Sequence, residues 1–394
     1  MQPVFRKYRK AKINMSKAKL MIVFGTRPEA IKLATVIKRA QLRNEDFETI
    51  VAVTAQHRQM LDEVLGAFEI KPDIDLDIMT PDQSLFSLTA KIFAELEQTL
   101  KKVDPDIIIV QGDTTTTFAT AIAGYYARKK IAYVEAGLRT GDKWAPFPEE
   151  INRKAASTVA DYLFPPTKRA KQNLLREGYD EKNIFVTGNT VIDALYYMVE
   201  KMKDQSCPIP EFAGKLQKFE KMVLITGHRR ENFGEPLRKI CQTFKKLSLM
   251  NPNVCFVYPV HLNPNVQDPV RSYLEGLNNF FLLPPLAYPV FIWFMQKASI
   301  IITDSGGIQE EAPALSKPVL VTRKVTERPE ALDAGVLKIV GDDEDQIIEN
   351  TKMLLEDPGF YNSMAKGVSP YGDGKASERI ISILAGEKPE EYKL

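Results

Sequence analysis

Residues 20–32 read LMIVFGTRPEAIK, an apolar run that passes at once into a helix start. Residues 20–24 are all apolar, as expected of a strand buried on both faces of a sheet. Thr26 and Glu29 have the T-x-x-E spacing of a capping box, so we expect a helix to begin here. A buried strand followed directly by a helix is the first half of a βαβ unit, which predicts a parallel sheet.

The same alternation of short apolar runs with longer amphipathic segments continues along almost the whole chain. Two series of six strands are predicted, at 20–24, 50–53, 107–110, 132–134, 162–164 and 184–186, and then at 223–226, 255–259, 280–283, 300–303, 319–322 and 337–340. Because open sheets of about twelve strands usually split, two sheets are expected. The predicted fold class is therefore α/β, with two doubly wound domains joined between roughly 187 and 215.

The composition is that of a globular protein, since 44% of the 394 residues are apolar and 26% are charged. This balance excludes collagen-like and mostly disordered chains. The longest strongly apolar run, 284–294, is well short of the ~20 residues that span a bilayer, so no transmembrane helix is expected. Residues 1–19 carry seven Lys and Arg and no acid. No apolar signal-peptide core follows them, and we expect a disordered basic extension in preference to a nucleic-acid or membrane arm.

Cysteine and histidine are scarce, at three residues each. The cysteines, Cys207, Cys241 and Cys255, have no CxxC spacing, which argues against a disulfide framework or a zinc ribbon and fits a reducing cytoplasm. The histidines show no HExxH or HxH spacing, so no metal site is expected. Neither GxGxxG nor GxxxxGK[ST] occurs, and a nicotinamide site and a P-loop are both unsupported.

Ligands of doubly wound sheets bind at the carboxyl ends of the strands, which directs attention to the residues after each strand. After the first strand, Arg27 and Lys32 lie at the start of the expected helix. Helix amides and two cations would suit a phosphate or a carboxylate. The alternative is a well-capped helix with two solvated cations, and spacing alone leaves both open.

Carboxylates follow neighbouring strands of the first half. Asp113 follows the third strand, Glu135 follows the fourth, and Glu149 or Glu150 stands in the next loop. Like charges gathered in a partly dry cleft raise one another's pKa, which suits carboxyl groups for proton transfer near neutral pH. Helix capping by Asp113 and a surface position for Glu149 and Glu150 are the alternatives.

The second half carries its own phosphate signal, DSGGIQEE at residues 304–311. Two adjacent glycines between a strand and a helix let backbone amides approach a diphosphate closely. Glu311 stands about one turn into that helix, where it could accept ribose hydroxyls, and Arg328 follows the next strand. A turn that needs positive φ is the structural alternative. His228 also follows a strand and has arginines beside it.

Ten segments together resemble the non-hydrolysing UDP-N-acetylglucosamine 2-epimerases. They are FGTRPEAIK (24–32), TAQHR (54–58), GDTTTT (112–117), VEAGLRT (134–140), PEE (148–150), GNTVID (188–193), GHRRE (227–231), HLNPN (261–265), DSGGIQEE (304–311) and ERPE (327–330). The match runs in order over about residues 20–385.

The resemblance implies a GT-B fold, with two Rossmann-like domains around a deep cleft. Residues 20–187 plus about 375–394 would form the first domain and residues 188–374 the second, UDP-binding one. It implies reversible interconversion of UDP-GlcNAc and UDP-ManNAc through elimination of UDP and its re-addition, without nicotinamide or metal. It further implies a homodimer and a supply of UDP-ManNAc for cell-surface polysaccharides.

Site roles are also carried over from the resemblance. UDP would be held by Ser305, Gly306, Gly307, Glu311 and Arg328, with Phe291 near the uracil. Diphosphate or sugar would meet Arg27, Lys32 and His228, and Arg153 would also bind the substrate. The catalytic residues would be Asp113, Glu135, Glu149 and His228, of which the three carboxylates supply acid and base.

Some members of that family bind UDP-GlcNAc at a second, activating site. The matching residues here are Gln56, Gln59, Arg229 and His261, whereas Asp82 stands where the regulated members carry an arginine. Three other functions stay open on the sequence: a GT-B glycosyltransferase, a hydrolysing epimerase and a silent nucleotide-sugar sensor.

Overall fold

A computed structural model describes residues 17–54, 58–80, 83–204, 211–227, 229, 232–326 and 328–393, with backbone alone at 58–59, 204 and 211–213. The extension predicted over residues 1–19 lies, up to residue 16, outside this described part. The strands are β1 Ala18–Phe24, β2 Phe47–Val53, β3 Ile74–Asp75, β4 Ile107–Gln111, β5 Lys130–Val134, β6 Tyr162–Phe164, β7 Lys221–Thr226, β8 Val254–Pro259, β9 Phe280–Leu283, β10 Ile300–Thr303, β11 Val319–Val321 and β12 Leu337–Ile339.

The helices between them cover both faces of each sheet. They are α1 Arg27–Leu42, α2 Arg58–Ala67, α3 Leu85–Val103, α4 Thr115–Tyr126, α5 Glu149–Val159, α6 Lys168–Arg176, α7 Thr190–Asp204, α8 Glu235–Met250, α9 Pro264–Leu274, α10 Tyr288–Lys297, α11 Gly306–Ala314, α12 Pro329–Asp333, α13 Glu344–Glu356, α14 Pro358–Met364 and α15 Ala376–Leu384. None of the helices in the described ranges is long and apolar enough to cross a membrane.

Two six-stranded sheets are present, and every strand pair in them is parallel. The first has the order β3-β2-β1-β4-β5-β6. The second, read from its β9 edge, has the same pattern as β9-β8-β7-β10-β11-β12. In each sheet, the first three strands are added towards one edge and the next three towards the other. The strand order therefore reverses between the two central strands, at β1/β4 and at β7/β10. The prediction of two Rossmann-like domains is confirmed, and the two reversal points mark where ligands bind in such sheets.

One of the strand predictions is wrong and one strand was missed. Residues 184–186 do not form a sixth strand, because Ile184 makes only a single bridge to Leu163. The sixth strand of the first sheet is instead Ile74–Asp75, at the opposite edge beside β2. Two residues are too few to produce a recognisable apolar run, so the pattern could not reveal this strand.

The continuous apolar runs are explained by burial on both faces of each sheet. In the first sheet, Ile22 and Ile109 pack into one core cluster, whereas Met21 and Ile108 pack into another on the opposite face. The cluster that contains Ile22 also contains Leu224 and other residues of the second sheet. One apolar core therefore runs from domain to domain.

The C-terminal helix returns to the first domain. Asp193 of α7 accepts hydrogen bonds from the backbone N–H groups of Ala376 (3.1 Å) and Ser377 (2.7 Å) at the start of α15. The hydroxyls of Ser377 and Thr35 of α1 lie 2.8 Å apart. We propose on this basis that the first domain comprises residues 20–187 and takes the chain back from about 375 to 394, and that residues 188–374 form the second.

Candidate active site

The helix start predicted at Thr26 is confirmed, and its capping carboxylate also ties two loops together. Glu29 is buried and accepts from the backbone N–H of Thr26 (2.8 Å) and of Gly25 (3.1 Å). It also accepts from the hydroxyls of Thr114 (2.7 Å) and Thr117 (3.1 Å), which belong to the β4–α4 connection. The ends of the two central strands β1 and β4 are thus held at a fixed separation.

Lys32 of α1 points to the end of β5, where its Nζ lies 2.5 Å from Oε1 of Glu135. Glu135 also accepts a short hydrogen bond from Gln111 and one of 3.2 Å from Asn189. Burial raises the pKa of Glu135, but the Lys32 ammonium beside it, together with the charges of Arg328 and Arg153, brings the pKa below its usual range. The carboxylate is therefore ionised at neutral pH.

Glu135 also has an uncommon backbone conformation. Its φ of 67° lies in the left-handed region, which costs a residue other than glycine about 1–3 kcal/mol when it is strained. The conformation turns the side chain into the cleft, where Lys32 and Asn189 hold it. Strain of this kind persists where surrounding contacts over-determine it, and it concentrates at functional sites.

The same cluster reaches the second domain through Glu310 of α11. Its carboxylate lies 3.7 Å from Nζ of Lys32 and accepts from Nδ2 of Asn189 at 3.3 Å. Nε of Arg328 donates to it at 2.5 Å. Burial lowers the pKa of Lys32, but Glu135 and Glu310 together more than reverse this and raise it. Two cations and two carboxylates from both domains therefore meet in one buried group.

Sequence reasoning missed Glu310 and named its neighbour Glu311. The two carboxylates are adjacent in DSGGIQEE, and no local signal separates them. Side chains one residue apart on a helix point in different directions, so their surroundings were decided by how α11 packs against α1 and α7.

Asp113 lies at the end of β4, paired with a residue from α5. Nη2 and Nε of Arg153 donate to Oδ2 of Asp113 at 2.7 and 3.0 Å. The side-chain amide of Asn152 donates to the Asp113 backbone carbonyl at 2.8 Å. The aspartate is about one-third exposed, at 31% of its side chain. One face of its carboxylate is held by the guanidinium and the rest is open to the cleft.

Glu149 and Glu150, which the sequence left as alternatives, are the first two residues of α5 and have different surroundings. Glu150 is fully buried and accepts from the backbone N–H groups of Thr140 and Gly141, both at 3.1 Å, and from Arg153 at 3.3 Å. It supports the loop that precedes the helix. Glu149 instead has a buried oxygen, Oε2, with no hydrogen-bond partner in the described structure. A buried carboxylate oxygen without a donor is uncommon, and a catalytic role is one of the explanations for such a group.

The second domain presents the N-terminus of α11, beginning at Gly306. A Cβ added to Gly306 would lie 3.5 Å from Nη2 of Arg328 and 3.8 Å from Nη2 of Arg229, whereas nothing lies within 4 Å of one added to Gly307. Two guanidinium groups therefore flank the open end of the helix beside Ser305. Free amides, a helix dipole and two fixed cations are the elements of a diphosphate site.

Glu311 lies deeper in the second domain and accepts a hydrogen bond of 2.6 Å from the Tyr288 hydroxyl. Burial raises its pKa to about 7, against the lowering effect of that hydroxyl and of Lys32 and Arg27. Arg27, at the start of α1, is partly buried, and its charge contributes to lowering that pKa. Phe291 stands one turn after Tyr288 in α10 and is half-buried.

The remaining site predictions fall at the rim or outside the described residues. His228 and Gln56 lie outside, and Gln59 is described only as backbone in α2. His261 is exposed, and its Nδ1 accepts from the Asn263 backbone N–H at 3.1 Å. Arg229 donates its backbone N–H to Asp304 at 2.9 Å.

Asp304 is a structural residue that sequence reasoning did not single out. It is buried and also accepts from Nδ2 of Asn232 at 3.1 Å, so it holds the loop that follows β7. An aspartate directly after a strand is also the pattern of a ligand-facing residue, and the pattern alone does not separate the two roles. Within the described residues, no group of three or more His, Cys, Asp or Glu could hold a metal ion.

Comparisons with known proteins agree on one family. The family model described as UDP-N-acetylglucosamine 2-epimerase matches residues 39–385. The UDP-N-acetylglucosamine 2-epimerase of Campylobacter jejuni is 50% identical over 379 residues, covering 95% of this chain and 99% of its own.

Solved structures of the same name are similar over more than nine-tenths of this chain. The UDP-GlcNAc 2-epimerase of Neisseria meningitidis, bound to UDP-GlcNAc, is 45% identical with a TM-score of 0.86, covering 94% of this chain and all of its own. The enzyme of Methanocaldococcus jannaschii, in complex with UDP-GlcNAc and UDP, is 31% identical with a TM-score of 0.78 and covers 93% of this chain and 99% of its own.

Proposed function

Because this chain belongs to the UDP-N-acetylglucosamine 2-epimerase family, we propose that it interconverts UDP-GlcNAc and UDP-ManNAc without releasing free sugar. The observation that supports this best is the group formed by Lys32, Glu135, Glu310 and Arg328. It connects the carboxylates that follow the strands of the first domain to the proposed diphosphate site of the second. A sugar diphosphate held by α11 would present its sugar to Asp113, Glu135 and Glu149.

The chemistry follows from the acidity of the substrate. The C2 proton has no carbonyl beside it, so direct deprotonation at neutral pH is prohibitive. Removing it while the C1–O bond to UDP breaks gives a 2-acetamidoglucal and UDP. UDP then re-forms the C1–O bond while a proton returns to C2 from the opposite face. Elimination and re-addition invert C2 with no net change in oxidation state.

The leaving group needs stabilisation as charge develops on its β-phosphate. Arg27, Arg328 and the free amides at Gly306 and Gly307 would supply it, and pre-oriented donors of this kind are often the largest catalytic contribution. Ser305 would add a hydroxyl, and Phe291 would contact the uracil. His228 is proposed to contact the diphosphate or the sugar.

Three carboxyl groups are proposed to move the protons. Glu135 is ionised beside Lys32, which fits a base or an electrostatic role and not an acid at neutral pH. The acid would then be Glu149 or Asp113, of which Asp113 is oriented by Arg153. Which group serves which face of C2 stays a prediction.

Proton NMR of the protein with UDP-GlcNAc alone in deuterated water tests this proposal. We expect UDP-ManNAc signals together with loss of the C2 proton signal from both sugars, since a proton taken at C2 is replaced from solvent. Accumulation of UDP and free ManNAc would instead identify a hydrolysing epimerase. Epimerisation with full retention of the C2 proton would contradict the elimination route.

A homodimer is proposed through the exposed face of α3 and α4. Phe86 is 89% exposed and Tyr126 is 73% exposed, and large apolar side chains this exposed on two neighbouring helices favour an interaction site. Tyr126 also stacks on Phe93 of α3. We expect Tyr126→Glu to convert a dimer into a monomer in analytical ultracentrifugation, while a wild-type monomer at micromolar concentration would contradict the proposal.

Three further assignments complete the proposal. Gln56, Gln59, Arg229 and His261 are proposed to line an activating site for UDP-GlcNAc. The product would serve cell-surface polysaccharide synthesis. A cytoplasmic location is supported by Cys241 and Cys255, which are buried and unpaired.

A further inference from the structure

Tyr288 and Glu311 form a buried pair that the mechanism above does not use. Tyr288 is the first residue of α10 and Glu311 belongs to α11, and both side chains are less than one-tenth exposed. The phenol donates to Oε1 of Glu311 at 2.6 Å. An ionised carboxylate accepts about four hydrogen bonds, so Oε2 and the second lone pair of Oε1 stay available.

The ring of Tyr288 is held in place from the first domain. Phe68, which directly follows α2 and is fully buried, stacks on it with ring centroids 6.0 Å apart and planes inclined by 27°. Phe68 also stacks on Tyr197 of α7 at 5.5 Å and 22°. Three aromatic rings from three elements therefore lock the phenol, and its hydroxyl occupies a fixed point beside Glu311.

We propose that Tyr288 is a positioning residue for nucleotide binding, which favours the ionised form of the Glu311 carboxylate and turns it so that its free oxygen accepts the two ribose hydroxyls. This inference rests on the proposed function and on the contact with the ribose that the sequence predicts for Glu311. Tyr288 acts through Glu311 and touches no reacting atom. Because Phe68 comes from the other domain, ribose recognition depends on how the two domains pack.

Polar and charged groups on three elements act on Glu311. Burial, and to a smaller extent Glu310 on the same helix, raises its pKa to about 7 against the lowering effect of Tyr288 of α10 and of Lys32 and Arg27 of α1. A protonated carboxyl loses acceptor capacity and gains a donor, which does not match a diol that donates twice. Affinity is therefore expected to weaken as the pH falls through the pKa of Glu311.

The test is equilibrium binding of UDP-GlcNAc, measured by calorimetry between about pH 6 and 9, where its diphosphate diester does not titrate. Tyr288→Phe removes the donor, so the pKa of Glu311 rises. We expect affinity to fall about tenfold at pH 7, the scale of one hydrogen bond to a charged group, and to recover towards wild type at pH 9. A loss of equal size at every pH would mean a purely structural role and would overturn the proposal.

Two control variants test whether the loss of affinity in Tyr288→Phe acts through Glu311. Tyr392→Phe removes another buried tyrosine hydroxyl, which donates to the Ser369 carbonyl at 2.8 Å, and should leave affinity unchanged. In a Glu311→Gln background, the Tyr288→Phe change should add little at any pH. A full tenfold loss in that background would show that the hydroxyl acts elsewhere.

A second variant tests the same contact if Tyr288→Phe is unstable. If Tyr288→Phe does not fold, Phe68→Leu keeps the hydroxyl but frees the ring, and a smaller loss with the same recovery at high pH is expected. Unchanged affinity in Phe68→Leu would overturn the inference.

UDP-GlcNAc binding without turnover overturns the proposed function alone, whereas turnover with unchanged affinity in Tyr288→Phe overturns this inference alone.

Discussion

Replacing Glu149 by glutamine is expected to lower kcat for epimerisation by about 10²–10⁴-fold, the range associated with loss of a general acid or base. Glutamine has nearly the same shape but neither takes nor gives a proton. Binding of UDP-GlcNAc and the melting temperature should change little, because Oε2 of Glu149 has no hydrogen-bond partner in the described structure. Initial rates, calorimetric binding and thermal unfolding measure the three quantities. Asp113→Asn is expected to reduce kcat similarly.

The adjacent residue provides a matched control. In Glu150→Gln, the amide NH₂ would face the Thr140 or Gly141 N–H groups or Arg153, all of which donate to the native carboxylate. We expect a loss of about 1.5–3 kcal/mol in the free energy of unfolding, typical of hydrogen bonds to a charged group. Wild-type turnover in both Glu149→Gln and Asp113→Asn would remove these carboxylates from the chemistry.

Replacing Lys32 by methionine is expected to destabilise the fold by about 3–5 kcal/mol, the cost of leaving buried charge unpaired. The native ammonium lies 2.5 Å from Glu135 and 3.7 Å from Glu310, and both carboxylates are almost fully buried. Activity should be lost as well, since the pair orients Glu135. Chemical denaturation measures the free energy of unfolding. Lys101→Met, which breaks the exposed pair with Glu97 on α3, should have little effect.

The pH dependence of the stability loss in Lys32→Met distinguishes an unpaired buried charge from a loss of packing. In the wild type, the lowered pKa of Glu135 stabilises the fold above the unfolded pKa of ~4.3, and this contribution is lost as pH falls through the folded pKa. In Lys32→Met, burial without the Lys32 ammonium raises the pKa of Glu135, so protonation of Glu135 relieves the variant as pH falls. The difference in free energy of unfolding between the wild type and Lys32→Met should therefore become smaller as the pH falls from about 7 to 5. A difference that stays constant over this interval would contradict the assignment.

Local patterns predicted much of this molecule. The strand at 20–24 and the helix at Thr26 follow from a buried apolar run and a capping box, because both depend on residues within a few positions of one another. Glu29 and Thr26 meet as expected. The glycines at 306–307 likewise mark a helix start open to an anion. Residues 184–186 show the limit, since an apolar run beside a sheet edge pairs only if the neighbouring backbone is in register, and here it makes one bridge.

Local sequence was therefore enough to predict the two parallel sheets, the helix start at Thr26, the helix that follows the strand at 300–303, and the carboxylates and arginines at strand ends. Tertiary structure decided which of them meet. Lys32 and Glu310 are 278 positions apart in the numbering and lie 3.7 Å apart in space. Adjacent pairs such as Glu149 and Glu150, or Glu310 and Glu311, have the same chemistry and nearly the same local sequence environment. Their surroundings differ because a helix sends neighbouring side chains in different directions, and only the packing of the two domains sets what each side chain faces.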